Sequence, residues 1–516
     1  MTDSPSTADE LQELNEQQRV RREKLDRIRA AGGDPYPVGY PRTTTYAEIR
    51  AKHGELAPDT FTGDVVAITG RVVLSRGGGK IAFATLQESG ERMQVVLQLD
   101  RAGQEAMDRW ASDVDLGDHV GVTGEVGTTR RGELSVFVDS WALTGKALRP
   151  LPDKHKGLSD PESRVRQRYV DLVVNPESRA LVEARAKVLR SLRATLDGRG
   201  YVEAETPVLQ VMHGGAAARP FGTHLNAFDL PMYLRIALEL PLKRLVVGGI
   251  DRVYEIGRTF RNEGVDTTHS PEFTMLEAYE AYGDYDTMAD LTRQLVIDAW
   301  TAVGRPEVLA SDRETVIDIE GPWHTVTVHD AISEAIDGAV TIDTPHDELL
   351  ALAAKHEVPL KPGLSTGEVV LELYEKLVEH TLTQPTFVRD YPADVRPLAR
   401  PHRRDPRLAE AWDLIINGVE LAPAYSELVD PVEQRRRLTE QSAKAAGGDP
   451  EAMQLDEDFL RALEFGAPPM GGMGLGVDRL VMLLTGANIR EAITFPLLRP
   501  LGSDSAFGRP QAGADT

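Results

Sequence analysis

The 516 residues include no cysteine, which removes disulfides, thiolate nucleophiles and Cys-ligated zinc or iron–sulfur centres together. Any metal must sit on oxygen or histidine. Positive charge is also scarce: 58 Lys and Arg face 81 Asp and Glu, a formal charge of −23. A chain-wide basic field of the kind that holds proteins on DNA or anionic lipid is therefore excluded. No uncharged apolar run reaches the ~18 residues of a membrane span, and residues 1–10 are polar and acidic without an apolar stretch. The expectation is a soluble, cytoplasmic chain without membrane contact.

What is present suffices for large cores, since 41% of the residues are hydrophobic and the length corresponds to roughly two to four domains. Residues 10–31 lack Pro and Gly and interleave Arg19, Glu23 and Arg27 at helical spacing until Gly32 and Gly33. This predicts an exposed, locally basic helix, its charges serving either as a solvated ion-paired face or as an RNA contact. Five β-rich runs follow at 65–73, 81–86, 93–99, 119–126 and 134–143, with a helical stretch at 102–110 between the third and fourth. That order suits an OB-fold, a small barrel that often binds single strands. A locally basic hinge spans 146–169, with Lys146, Arg149, Lys154, Lys156, Arg164, Arg166 and Arg168. Beyond it Leu181, Val188, Leu189, Leu192 and Leu196 mark one helical face that ends at Gly198 and Gly200.

Three groups of residues carry possible chemistry. Residues 253–264 read as a strand entering a loop and 272–281 as its return. Phe273, Met275, Glu277 and Tyr279 then share one face, as do Arg261 and Glu263. Carboxylates on a face that also carries Phe and Met favour a ligand site over a sheet-edge ion pair. Next, Asn417-Gly418 signals a two-residue hairpin. Pairing Ile416 with Val419 sets Ile415 opposite Glu420, so Asp413 and Glu420 emerge on one face without a basic residue in the hairpin. Oxygen-only ligands favour Mg²⁺ bridged to substrate phosphates. Glu427 falls on the other face unless the strand breaks, and Pro423 is the expected break. Last, the run from Gly471 to Arg479 places glycines ahead of an apolar helix. It lacks a Walker or dinucleotide pattern, and close nucleotide approach and tight helix packing both remain open. Arg479 at the helix start can meet a phosphate.

Together these pieces resemble the signature motifs of class II aminoacyl-tRNA synthetases. Residues 201–207 (YVEAETP) resemble the dimer-forming first motif, Phe260 to Gly264 with His269 and Phe273 the second, and Gly474 to Arg479 the third. Within that class the chain is most similar to the lysyl-tRNA synthetases of bacterial type, over residues of about 20 to 500. The resemblance implies an α+β protein: an antiparallel catalytic sheet flanked by helices and fused to an N-terminal OB-fold that reads the anticodon, acting as a homodimer. The implied layout is a helical extension at 1–62, the OB domain at 63–147, a hinge at 148–175, the catalytic domain at 176–500 and a disordered tail at 501–516.

The resemblance also implies roles by motif. Arg261 would hold the α-phosphate and the carboxylate, and Phe273 would stack on adenine. Glu263, His269 and Arg479 would grip ATP, while Asp413 and Glu420 match the metal ligands for Mg²⁺. Glu239 and Glu427 match the pair that receives the ε-ammonium of L-lysine. Tyr279 and Tyr425 belong to the same substrate pocket, and Gly215 and Glu277 lie where the α-amino group is held. Phe83, Gln94 and Glu133 match contacts to anticodon bases of tRNA(Lys), with barrel core as the alternative for Phe83. The chain departs from the family's pattern at Pro423 and Ala424, and at Leu238 and Pro241 beside Glu239, where a proline within a strand removes a backbone donor. These departures motivate an alternative: a divergent paralogue that binds RNA, regulates, or activates another amine-bearing acid. Residues 310–385 suggest no role.

Overall fold

The computed structural model describes residues 15–152, 158–446 and 453–499. Expectations for Lys154, Lys156 and the tail beyond residue 500 lie outside the described residues. The chain divides into two compact units, Met1–Arg179 and Ala180–Thr516.

The first unit is built on a barrel. Strands β1 (Phe61–Gly78), β2 (Ile81–Glu88), β3 (Glu91–Gln98), β4 (His119–Thr128) and β5 (Leu134–Gly145) close in the order β1-β2-β3-β5-β4. Alternation puts Ala82, Ala84 and Leu86 inside with Val95, Leu97, Val120, Val122, Val136 and Val138. Phe83 stays outside this core, half-buried on the outer face. Helix α1 (Glu16–Ala30) opens with a capping box between Asn15 and Gln18. It is less exposed than its charge pattern predicts. Arg21 is buried and donates to the carbonyls of Leu116 (2.8 Å) and Ala147 (3.0 Å). Lys24 and Arg27 pair with Asp115 and Asp113, each at 2.7 Å. Helix α2 (Gln104–Asp113) occupies the predicted place between β3 and β4.

The hinge is likewise less available as a basic surface than its composition predicts. Lys146 is buried between Asp115 (2.5 Å) and Asp118 (2.7 Å), and Arg164 and Arg168 both pair with the buried Asp171. Helix α3 (Pro176–Gly198) follows.

The second unit carries an eight-stranded mixed sheet. Its strands, in chain order, are β6 (Val202–Glu203), β10 (Arg252–Phe260), β11 (Glu272–Ala281), β12 (His324–Thr327), β13 (Thr386–Arg389), β14 (Ala411–Ile416), β15 (Val419–Ser426) and β16 (Met470–Gly476). They lie in the order β12-β13-β14-β15-β16-β11-β10-β6, while β7 (Leu209–Gln210), β8 (Gly222–Leu225) and β9 (Leu230–Leu234) form a small separate sheet. The pairs β6–β10 and β12–β13 are parallel and the others antiparallel. The sheet's two faces have different chemistry. Tyr254, Leu276, Ala278, Trp412, Leu414, Met473 and Leu475 bury against Val188, Leu192 and Leu196 of α3 and against Leu291, Leu295 and Val296. The latter three lie on α5 (Tyr285–Ala302), which follows α4 (Glu239–Val247) in the chain.

Alternate residues of the same strands, including Glu255, Glu277, Tyr279, Tyr425 and Asp413, take the opposite face. Residues 310–385, silent in the sequence, add α6 (Val328–Ile336), α7 (His346–Lys355) and α8 (Thr366–Leu377) around a core of their own that packs on Ala411 and Ile415.

Candidate active site

The run Gly471 to Gly476 is strand β16 rather than a loop ahead of the helix, and its glycines answer to packing on the functional face. Residues Met473 and Leu475 enter the core, leaving Gly472, Gly474 and Gly476 on the opposite face by alternation. A Cβ at Gly472 would lie 2.1 Å from Glu427 Oε1 and 2.4 Å from Tyr279 Cε1, and one at Gly474 would lie 3.2 Å from Met275 Cε. The bare strand lets side chains from β11 and β15 cross over it.

One cleft on this face collects Arg261, Glu263, His269, Phe273, Glu420, Pro423 and Arg479. Strand β10 ends at Phe260, earlier than the sequence predicts, and Arg261 N–H then donates to Pro271 O (2.9 Å). The Arg261 guanidinium sits 5.2 Å from the Phe273 ring centroid, so a cation and an aromatic face are presented together. His269 meets Asp266 at 2.9 Å, and Glu263 accepts from Arg219 N–H at 3.3 Å. Arg479 lies in the first turn of α9 (Val477–Thr485) and donates to Glu420 O at 2.5 Å. Its neighbour Asp478 is buried and joins the elements by accepting from Thr274 N–H (2.7 Å) and pairing with Arg185 of α3.

The hairpin register is as the sequence predicts near its turn: Ile416 opposes Val419 and Ile415 opposes Glu420. The break is not at Pro423. It is a bulge at Leu421, since Leu414 already opposes Ala422 and Asp413 opposes Pro423. The bulge restores Pro423, Tyr425 and Glu427 to the face of Asp413 and Glu420. The β15–β16 ladder starts only at Ala424, one residue past the N–H that Pro423 lacks.

Asp413 has a partner the hairpin does not contain. Arg396 Nη2 lies 2.5 Å from its Oδ2, with the guanidinium stacked 4.1 Å over Tyr391. Burial still pushes Asp413 up to about 6, with Arg396 opposing and Glu420 adding to the rise. Glu379, just past α8, is also raised to about 7 by burial and by the charges of Glu420, Glu375 and Asp413. Arg396, Glu375 and Glu379 give no local sign of this in the sequence, because distant segments bring them here. Among the described residues no three Asp, Glu or His side chains are arranged to hold a metal ion alone. The excess of carboxylates nevertheless fits a hard dication that takes its remaining ligands from phosphate oxygens.

Beside this cleft lies a cluster of three buried carboxylates, Glu239, Glu277 and Glu427. Glu277 of β11 accepts from Leu238 N–H (2.9 Å) and Tyr279 OH (3.1 Å). Burial and the charge of Glu239 raise it to about 7. Glu239 opens α4, so Pro241 is the third residue of a helix, not a strand position. Its missing N–H is one that the first turn leaves unpaired anyway. At Leu238 the cluster uses the backbone N–H, which any residue but proline supplies. Glu427 is 3% exposed, and burial raises it to about 8 while Lys243 opposes the rise. Lys243, which the sequence did not single out, lies 2.5 Å from both Glu239 Oε1 and Glu427 Oε2. At Gly215, φ +86°, an added Cβ would lie 3.2 Å from Glu239 Cβ and Ala237 Cβ, and with Glu239 and Tyr425 this glycine lines an adjoining cavity. Pro423 lines the Arg261 cleft and is not among that cavity's residues.

The remaining candidates lie on the barrel. Arg76 CZ stands 5.4 Å from the Phe83 ring centroid, Gln94 Nε2 donates to Ser135 Oγ (2.9 Å), and Glu133 is exposed between β4 and β5.

Comparison with known proteins gives two family matches: tRNA synthetases class II (D, K and N) over residues 160–499, and an OB-fold nucleic acid binding domain over residues 64–144. The chain is 53% identical over 502 residues to a lysine–tRNA ligase of Kineococcus radiotolerans, covering 97% of this chain and 100% of that protein. It is 51% identical over 503 residues to a lysine–tRNA ligase of Mycobacterium tuberculosis (strain ATCC 25177 / H37Ra), covering 96% and 99%. It is also 52% identical over 496 residues to the lysylphosphatidylglycerol biosynthesis bifunctional protein LysX of Mycobacterium marinum, where the match takes in 95% of this chain and 44% of the relative.

Proposed function

This chain belongs to the class II tRNA synthetases of the D, K and N group, and on that premise we propose that it is a lysine–tRNA ligase. It joins L-lysine to ATP, forming lysyl-adenylate and pyrophosphate, and then transfers the lysyl group to the terminal ribose hydroxyl of tRNA(Lys) with release of AMP. The observation that carries this reading is the cluster of three buried carboxylates, Glu239, Glu277 and Glu427, beside the cleft holding Arg261, Phe273 and Arg479. An amino acid with two ammonium groups satisfies such a cluster. A neutral or acidic side chain would leave carboxylates buried and unpaired.

In the first step the lysine carboxylate attacks the α-phosphorus and pyrophosphate leaves in line. Catalysis is positioning plus stabilisation of charge on the equatorial oxygens. Arg261 would bridge the attacking carboxylate and the α-phosphate. Phe273 would carry the adenine on one face, and Glu263, His269 and Arg479 would hold the rest of the nucleotide. Asp413 and Glu420 would hold Mg²⁺, which when bound neutralises phosphate charge. Glu277 would hold the α-ammonium near Gly215, and Glu239 and Glu427 the ε-ammonium. Tyr279 and Tyr425 close the pocket.

For tRNA, Phe83 offers a stacking face on the outside of the barrel, with Gln94 and Glu133 as polar contacts; stacking is worth about 1–3 kcal/mol per base. The surface from Val202 to Phe228 exposes Val202, Val208, Leu209, Val211, Met212 and Phe228, an apolar area suited to a second copy of the chain. A translation enzyme of this kind works in the cytoplasm. Charging of tRNA(Lys) with labelled lysine, dependent on ATP, tests the proposal; a chain that charges no tRNA with lysine under saturating conditions is not this enzyme.

A further inference from the structure

Lys243 stands between the two carboxylates expected to receive the substrate's side chain. It is 1% exposed, and its ammonium bridges Glu239, one turn earlier on α4, and Glu427, beyond the end of β15. Its Nζ meets Glu239 and Glu427 and lies 5.9 Å from the Tyr279 ring centroid, while Glu277 of β11 adds to the rise of Glu427. Oε2 of Glu427 lies 2.5 Å from Lys243 Nζ, while its Oε1, equally buried, has no hydrogen-bond partner. Glu427 therefore meets Lys243 through one oxygen and keeps the other open to a second donor.

Packing alone does not call for an ammonium here. Helix α4 already buries Leu238, Leu242 and Val246 with Val253 and Tyr279, and an apolar side chain at 243 would avoid the desolvation a buried cation requires. The charge count supplies a reason. Glu239, Glu277 and Glu427 carry three negative charges when ionised, and Lys243 carries one positive. The deficit is two, matching one α-ammonium and one ε-ammonium.

We propose that Lys243 is a positioning and specificity-determining residue: its ammonium neutralises one of the three buried carboxylates and holds the pair apart, leaving room and charge for a single incoming diammonium amino acid. The inference rests on the lysine reading of the pocket. Without Lys243 the two facing carboxylates share a proton that an incoming ammonium must expel. With Lys243 but only one of the pair, the resident ammonium satisfies that carboxylate and nothing remains for the substrate.

The test is a cycle of variants read by lysine-dependent ATP–pyrophosphate exchange. At neutral pH, Lys243→Met raises the lysine KM about tenfold and leaves the ATP KM within about twofold, while Glu239→Gln raises the lysine KM about a hundredfold. Adding Lys243→Met to Glu239→Gln then lowers the lysine KM by about tenfold, because Glu427 is freed. A purely structural lysine cannot improve binding when removed, so a double variant with a KM equal to or above that of Glu239→Gln alone overturns the proposal. Should Lys243→Met fail to fold, the charge-balanced double variant against Glu239→Gln still decides. Absence of exchange in the unmodified chain strikes the lysine reading itself, whereas exchange without the reversal strikes only the role of Lys243.

Discussion

Glu277 and Glu427 illustrate what single side chains contribute and what their burial costs. Burial raises the first to about 7 and the second to about 8, so near neutrality both hold protons part of the time, and binding two ammonium groups favours their ionised forms. The lysine KM is therefore expected to fall as pH rises from 6 through 8, and calorimetry in buffers of different ionisation enthalpy should show protons released on lysine binding. A pH-independent KM with no proton release contradicts the assignment. The same shifts bear on stability. These carboxyls bind protons more tightly in the folded chain than in the unfolded one, so their contribution is present at acid pH and is lost as pH rises from about 5 through 8. Saturating lysine should flatten that slope in thermal unfolding. Glu427→Gln should raise the lysine KM on the order of a hundredfold with little change for ATP, since one buried charged contact is worth about 1.5–3 kcal/mol; equal effects on both would remove Glu427 from the ammonium site. The motif residues were legible because strand alternation and the family resemblance pointed at them together. Lys243 was not, because nothing in its local sequence marks it and its second partner, Glu427, is far along the chain. Only the packing of α4 against β10 and β11 shows that the pair is buried.

At the scale of elements, β16 and the bulge in β15 do most to shape the face. The glycines of β16 read in sequence as a run ahead of a helix, open to nucleotide approach or tight helix packing, yet alternation assigns Gly472, Gly474 and Gly476 to one face of a central strand. Gly472→Ala is the sharp test: its Cβ would collide with Glu427 and Tyr279, so lysine-dependent exchange should drop by about a hundredfold and stability by about 1–3 kcal/mol. Gly78, with nothing within 4 Å of an added Cβ, is the control that should tolerate alanine. An active Gly472→Ala protein with an unchanged lysine KM would mean that Tyr279 and Glu427 do not cross β16. The bulge at Leu421 was only half legible. The hairpin turn and two register pairs followed from Asn417-Gly418, and the parity of Glu427 demanded a break, but proline chemistry pointed to 423, where the strand in fact continues. Pro241 was misplaced as well: it was read within a strand, whereas the structure starts a helix at Glu239 and the proline falls in its first turn. Pro241 lies in the first turn of a helix and Pro423 lines the Arg261 cleft, and the likeness to lysine–tRNA ligases over nearly the whole chain does not favour the paralogue reading.

For the whole molecule, the scarcity of positive charge limits where RNA can be held. The basic residues of α1 and of the hinge, which composition offered as RNA contacts, are in good part committed within the first unit: Arg21 to carbonyls, Lys146 to Asp115 and Asp118, Arg164 and Arg168 to Asp171. Recognition by the barrel then leans on Phe83 and its polar neighbours. Phe83→Ala should weaken tRNA charging by about tenfold or more while adenylate formation is nearly unchanged; a parallel loss in both assays would mean that Phe83 serves the barrel's stability. The absence of cysteine keeps its force, for every group offered to a cation here is a carboxylate. The central claim is that three carboxylates and one resident ammonium select lysine for activation by ATP. ATP–pyrophosphate exchange measured separately with each common amino acid, at saturating ATP and Mg²⁺, tests it most directly. The account predicts exchange with lysine alone, with arginine and neutral amino acids at background; exchange driven by another amino acid, or none with lysine, would contradict it.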